Sequence, residues 1–280
     1  MIRRAAVAGY FYESDPIKLK KQIEKCFEHP IGPGKPTRIA EKYNGKFPAF
    51  IVPHAGYIYS GPVAAHAYKV LVENEKPDTI VILGPNHTGM GSLVSIMTEG
   101  EWETPLGRVR INKDLALKIL KEYKIATSDY LAHLNEHSIE VQLPFIQYFL
   151  KDFEFVPICI LLQTLDVALG LANALYKVLK GTNTVVLAST DLNHYEDYYT
   201  TYKKDNYVIE AIKQLDAEYL IKVIEEKNVS MCGPCPTATV LAYCKKLGIS
   251  KIHVLKHANS GDTESSKDSV VGYLSVAFEF

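Results

Sequence analysis

Thr79-Ile80-Val81-Ile82-Leu83-Gly84-Pro85-Asn86-His87 is an apolar, β-branched run that halts at glycine and proline and then presents a histidine. A run of this length bounded by turn residues reads as a strand. Two further segments have the same form, Ala49-Phe50-Ile51-Val52-Pro53-His54 and Thr184-Val185-Val186-Leu187-Ala188-Ser189-Thr190-Asp191-Leu192-Asn193-His194. In a parallel α/β sheet the carboxyl ends of the strands share one edge, so residues just beyond three strands converge on one crevice. Imidazoles gathered there point to metal binding or proton transfer.

Outward from these strands the chain alternates strand and helix over most of its length. The pattern predicts one α/β domain over residues 1–280, with a mostly parallel or mixed central sheet flanked by helices. Ser14-Asp15-Pro16 opens a helix whose apolar stripe is Leu19, Ile23, Cys26 and Phe27. Further helices are expected over 62–72, 113–123, 138–150, 167–179, 202–214, 217–227 and 234–246. Strands are expected through Phe155 to Leu161 and over 252–257 and 270–278, and residues 92–111, with Thr104-Pro105-Leu106-Gly107 as a turn, read as a β excursion or hairpin. No linker or internal repeat divides the chain.

Hydrophobic residues make up 47% and charged residues 22%, the globular range, which excludes disordered and fibrous classes. Lys+Arg is 31 against Asp+Glu 32, without a basic stripe, so nucleic acid is excluded as a partner. The N-terminal apolar stretch breaks at Glu13 and Asp15 before a signal sequence is complete, and no run reaches the length of a membrane helix. Five cysteines, an odd number spread along a long chain, fit a reduced cytoplasmic protein better than a disulfide framework.

His54 and His87 occupy the same topological position one crossover apart, and His194 adds a third, with Asp191 placed to orient its ring. A lone histidine in such a turn is more often a hydrogen-bonded or capping residue; two in equivalent positions are not so readily dismissed. Glu136, His137 and Glu140 sit at a helix start, where they read equally as a capping arrangement. Cys232-Gly233-Pro234-Cys235 has the spacing of a redox pair, but it follows a helix late in the chain and brings no second pair for zinc. Cys232 as a single thiolate ligand, its charge stabilised by the helix N-terminus, accounts for the position more economically. Two buried or incidental thiols are the plain alternative.

Pro53-His54-Ala55-Gly56-Tyr57, Gly84-Pro85-Asn86-His87, Glu136-His137-Ser138-Ile139-Glu140, Asp191-Leu192-Asn193-His194 and Cys232-Gly233 occur in this order in the Memo family, named for a mediator of ErbB2-driven cell motility. The resemblance extends to Ala8-Gly9-Tyr10-Phe11-Tyr12, Thr104-Pro105-Leu106 and the final strand, and so covers nearly the whole chain. The Memo family is similar in fold to the class III extradiol dioxygenases, which cleave catechol rings with non-haem iron held by two histidines and a carboxylate. The resemblance implies that His54 and His87 are metal ligands, that His194 is the acid and base, and that Cys232 stands where the dioxygenases have their carboxylate.

The resemblance makes iron the first expectation for the metal; a thiolate softens the site and shifts preference toward copper or zinc, the alternatives, and ring cleavage does not carry over. Family members also bind phosphorylated peptide across this cleft. The matching rim positions are Phe11, a Trp in the animal protein, and Tyr59, with Glu136 and His137 in the same cleft. Cys235, a His in the animal protein, is a further ligand or a redox partner for Cys232. Some microbial members are associated with a radical SAM protein, which suggests a shared pathway. Three functions follow: a metal-dependent oxidoreductase acting on a small molecule, a metal-carrying or phosphopeptide-binding module without turnover, and, well behind, a thiol redox protein using Cys232 and Cys235.

Overall fold

A computed structural model describes residues 1–263 and 266–280. In chain order the elements are β1 (Ile2–Arg3), α1 (Pro16–Glu28), β2 (Ala49–Val52), α2 (Tyr57–Asn74), β3 (Thr79–Pro85), β4 (Val94–Ile96), β5 (Glu101–Thr104), β6 (Gly107–Ile111), α3 (Lys113–Glu122) and β7 (Thr127–Ser128). They continue with α4 (Leu143–Phe149), β8 (Glu154–Ile160), α5 (Leu165–Leu179), β9 (Thr184–Ser189), β10 (His194–Glu196), α6 (Tyr198–Lys213), α7 (Ala217–Glu226), α8 (Pro234–Leu247), β11 (Lys251–Asn259) and β12 (Val270–Glu279). The fold is α/β, with one twelve-stranded mixed sheet.

At its centre β8, β3, β9 and β2 lie side by side and parallel. Every residue of β3 is buried, as a strand covered on both faces requires. The β5–β6 hairpin turns at Gly107, whose φ of 121° favours glycine, and the expected β excursion is therefore present. On one side β8 pairs with β6 in parallel and β4 antiparallel, with β5 and then β1 beyond β6; on the other β12 runs antiparallel to β2, β10 and β11. Helices α1, α2 and α4 form one group, α3, α5, α7 and α8 another, and both groups reach β2.

Three helices depart from expectation by more than two residues at their start. Helix α2 begins at Tyr57 and runs through Pro62, which withholds one N–H from the ladder; Ile58, whose carbonyl loses that partner, is exposed. Residues 138–150 are not one helix: a short 3₁₀ turn over Glu140–Gln142 precedes α4, which starts with Pro144 in its first turn. Helix α6 starts four residues early because Asp197 caps it, its carboxylate accepting from the N–H groups of Tyr199 and Thr200.

Candidate metal centre

The carboxyl ends of β2, β3 and β9 deliver His54, His87 and Asp191 to one edge, and the turn before α8 brings Cys232 to meet them. The ligating atoms of His54, His87 and Cys232 all lie within 4.8 Å of one another. Glycine makes the approach feasible at two points. A Cβ on Gly233 would stand 2.7 Å from Thr190 Cβ, and one on Gly84 would stand 2.3 Å from Ser138 Oγ.

Hydrogen bonding fixes the tautomers of both histidines. His54 is buried, with Nδ1 2.9 Å from Ser189 Oγ. That hydroxyl gives its single proton to the Ser138 carbonyl at 2.7 Å and accepts from Gln142 Nε2 at 2.8 Å, so Nδ1 of His54 must be the donor. Its Nε2 lone pair therefore faces Cys232 Sγ, 3.2 Å away. His87 Nδ1 donates to Glu136 Oε1 at 2.7 Å, which leaves its Nε2 bare as well.

Glu136 is buried, and its second oxygen accepts from the Ser138 amide and hydroxyl at 2.8 and 2.6 Å. Burial pushes this carboxyl up, but the hydrogen bonds from His87 and Ser138 and the charge of His137 outweigh burial and hold it below the usual range. Glu136 thus stands as the buried carboxylate behind the His87 imidazole, and through the Ser138 N–H it also caps the turn that opens there.

The third imidazole of the cluster is His137 rather than His194. Its ring stacks on His87 at 4.5 Å, stands 5.4 Å from His54, and meets the Phe11 ring at 4.6 Å. His87, Glu136 and His137 form a second group of potential ligands, but both oxygens of Glu136 are already engaged. His194 lies near enough for its charge to act on His54 and Asp191, with its Nδ1 donating to the Ser230 carbonyl at 2.7 Å and its backbone N–H to Ser230 Oγ at 2.8 Å.

Asp191 does not orient His194. It accepts from the His54 backbone N–H at 2.8 Å and lies 3.8 Å from His54 Nε2, while Ser230 performs the orienting role. Burial pushes the Asp191 carboxyl up to about 6, against the opposing charge of His194 and the His54 N–H. Cys232 directly precedes the Gly233 cap of α8, its sulfur accepts from the Asp191 N–H at 3.1 Å, and burial together with the Asp191 charge pushes its thiol up.

A family model described as Memo-like protein matches residues 3–277. The chain belongs to the Memo family. MEMO1 family proteins of Saccharolobus islandicus and Sulfolobus acidocaldarius are each 53% identical to it, with 99% of both chains covered in either case. A crystal structure of an uncharacterized protein from Escherichia coli K12 shares the fold, with a TM-score of 0.55 at 15% identity over 83% of this chain and 99% of that one.

In this Memo-family chain one wall of the cleft comes from the N-terminus. Buried Glu140 accepts from Arg3, from the N–H groups of Ala6 and Val7 at 2.8 and 3.1 Å, and from Tyr12 Oη at 2.5 Å. Arg3 in turn donates to the carbonyls of His133 and Glu136 at 2.9 and 2.6 Å. The strap so fixed carries Phe11, and the Phe11 carbonyl and the half-buried Tyr59 ring both border Gly56. Cys235 is not brought to the metal group: it is a free thiol buried in the core, raised to about 12 by burial, with its N–H on Gln163 Oε1. Ser189, Gln142 and Ser230 carry no signal in the sequence, since a serine or glutamine becomes an orienting group only through partners remote in the chain.

Proposed function

We propose that this chain binds a transition metal through His54, His87 and Cys232 and uses it for redox chemistry on a small molecule in the adjoining cleft. The observation that carries the reading is the pair of locked tautomers, which aim two bare Nε2 atoms and one sulfur at a common point. Donor chemistry fits: in a tetrahedral site nitrogen and sulfur ligands stand about 3.5 Å apart, close to the His54–Cys232 spacing of 3.2 Å. Likeness to the non-haem dioxygenases makes iron the first candidate, with copper or zinc the alternatives that a thiolate ligand favours.

Bound there, the metal would supply Lewis acidity and a redox couple. The chain's own residues divide the remaining work. Ser189 and Glu136 keep the two imidazoles basic and oriented, and His194, held by Ser230, takes or returns a proton at Nε2. Phe11 and His137 form one wall against which a ligand rests. Five free cysteines, and the absence of any described helix long and apolar enough to cross a membrane, support a place in the reducing cytoplasm.

A non-catalytic metal carrier is the second reading, favoured by the closeness of His54 Nε2 to Cys232 Sγ, which needs no substrate to complete it. Phosphopeptide binding is less well supported. Among the described residues none of the hydrogen bonds of His54, His87, His194 or Cys232 is to a lysine or arginine side chain.

Elemental analysis of protein purified without chelator tests the first proposal, followed by oxygen uptake with small phenols. Metal retained stoichiometrically by the His54→Ala/His87→Ala double variant would overturn it. Bound metal with no turnover would leave the carrier reading in its place.

A further inference from the structure

We propose that Asn193 is a positioning residue of the cleft: its carboxamide clamps Ser230 and through it holds the His194 ring in the Nδ1–H form. Two stretches of chain run alongside each other here. The Gly233 N–H donates to Thr190 Oγ1 at 3.0 Å, the Asp191 N–H to Cys232 Sγ at 3.1 Å and the Ser230 N–H to Asn193 Oδ1 at 3.1 Å, so residues 190–194 and 230–233 pass in opposite directions. The Asn193 contact is the next rung beyond the one that carries Cys232.

Every polar group of Asn193 is engaged, although the residue is fully buried. Its backbone N–H donates to Asp205 Oδ1 at 3.0 Å, and its carbonyl accepts from the Gly272 N–H at 2.8 Å. Asp205 is buried in turn and accepts from His257 Nε2 at 2.9 Å. A Cβ on Gly272 would stand 2.0 Å from Asp205 Oδ2, so only glycine admits this carboxylate. Asn193 Nδ2 donates to Glu196 Oε2 at 2.6 Å, and Lys204 Nζ stands 2.7 Å from the same oxygen. Hydrogen bonds from Lys204 and then from Asn193 hold the Glu196 carboxyl below its ordinary range. An ionised carboxylate only accepts, which settles the orientation of the amide: Nδ2 faces Glu196 and Oδ1 faces Ser230.

Oδ1 meets both donors of Ser230, the N–H and the hydroxyl, each at 3.1 Å. Ser230 then holds His194 at three points: Oγ accepts the backbone N–H at 2.8 Å and lies 3.2 Å from the carbonyl, and the Ser230 carbonyl accepts from Nδ1 at 2.7 Å. A carbonyl only accepts, so the neutral ring carries its proton on Nδ1 and its lone pair on Nε2. The next residue, Tyr195, has φ of 61°, a conformation that persists where the surroundings over-determine it. A partly exposed imidazole such as His194 finds water for either nitrogen; a single tautomer requires the chain from Glu196 through Asn193 and Ser230. A general base needs its lone pair on the nitrogen that meets the substrate. The inference rests on the acid–base role given to His194 above, so its test reads the ring itself, in metal-free protein.

Long-range ¹H–¹⁵N spectra of ¹⁵N-labelled protein at alkaline pH, where imidazoles are neutral, report which nitrogen carries the proton, and His194→Gln assigns the signal by its loss. Wild type is expected to show the Nδ1–H form alone. In Asn193→Ala the two ring nitrogens are expected to move toward a common shift, as the ring exchanges between tautomers. Asn193→Asp with Glu196→Gln moves the carboxylate across the contact and preserves the hydrogen bonds on both sides of it, so it should return the wild-type pattern. Glu196→Ala, at a partly exposed side chain, frees the amide to turn and should act as Asn193→Ala does, more weakly; if Asn193→Ala does not fold, this variant decides. A mixed tautomer in wild type overturns the proposal, as does an unaltered His194 pattern in the folded variants, or one that the exchanged carboxylate fails to restore. A lowered Tm with the His194 pattern intact also overturns it, because Asn193 would then serve the fold alone. Metal content, measured on separate samples, bears on the metal proposal only.

Discussion

His87 donates its Nδ1–H to Glu136, a carboxylate 49 residues away that is itself held by Ser138. A carboxylate behind a ligating imidazole raises its basicity and fixes its rotation, and loss of such a partner typically costs 10–100-fold in metal affinity, an order-of-magnitude figure. Glu136→Gln keeps the size but sets an amide N–H₂ against donors from either His87 or Ser138. Affinity for Zn(II) or Fe(II), read by competition with a chromophoric chelator, is expected to fall about tenfold or more. An unchanged affinity would remove Glu136 from the site.

Ser189 governs the tautomer of His54. Ser189→Ala leaves Gln142 Nε2 short of one acceptor and His54 Nδ1 without a partner, all in a buried setting. Destabilisation of about 1–3 kcal/mol is expected in urea titrations. Nuclear magnetic resonance of the ¹⁵N-labelled ring should show His54 passing from a single Nδ1–H tautomer to a mixture.

Arg3 and Glu140 are both fully buried. Removing one partner strands the other, so Arg3→Ala is expected to cost about 3–5 kcal/mol, and Arg3→Met with Glu140→Leu should not recover it, because the Ala6 and Val7 N–H groups and the Tyr12 hydroxyl lose their acceptor. The single variant should also release the strap that carries Phe11, detectable as faster amide exchange over residues 6–12. A protected strap in Arg3→Ala would show that the backbone contacts suffice.

His133 is buried with both ring nitrogens unpartnered, and burial, reinforced by Arg3 and opposed by Glu136, holds its pKa at about 4 against an ordinary 6.5. Between these values the unfolded chain binds a proton that the folded chain refuses, so stability falls as pH drops through that window. By linkage the loss is about 2 kcal/mol at pH 5 relative to pH 7. Unfolding free energies at the two pH values, compared with those of His133→Leu, isolate the effect; equal pH slopes in both proteins would contradict it.

The parallel core was legible because β2, β3 and β9 carry their signal locally, as apolar runs closed by turn residues. The positions of His54 and His87 followed from that topology. His137 was less legible, because Glu136-His137-Ser138 leads into a 3₁₀ turn and α4 rather than following a strand, and its approach to β3 depends on the absent side chain of Gly84. Asp191 was assigned to His194 on nearness in sequence, whereas its carboxylate serves His54, 137 residues away. Helix boundaries at Pro62 and Pro144 show the same limit. Proline inside α2 is tolerated by the surrounding packing, while Pro144 begins a helix that hydrophobic spacing alone would have started earlier.

His54 and Cys232 are 178 residues apart, and their contact forms only when β2, β9 and the turn before α8 are already in place. Small zinc domains use the ion to organise a short loop and are unfolded without it. Here His54, His87 and Cys232 meet only through the sheet and the turn before α8, so a metal bound as proposed would be captured after these elements assemble and would not guide them. Filling of the site would then report that the chain has folded as far as Cys232, and a product truncated before that residue would compete poorly for the ion however well its strands had paired.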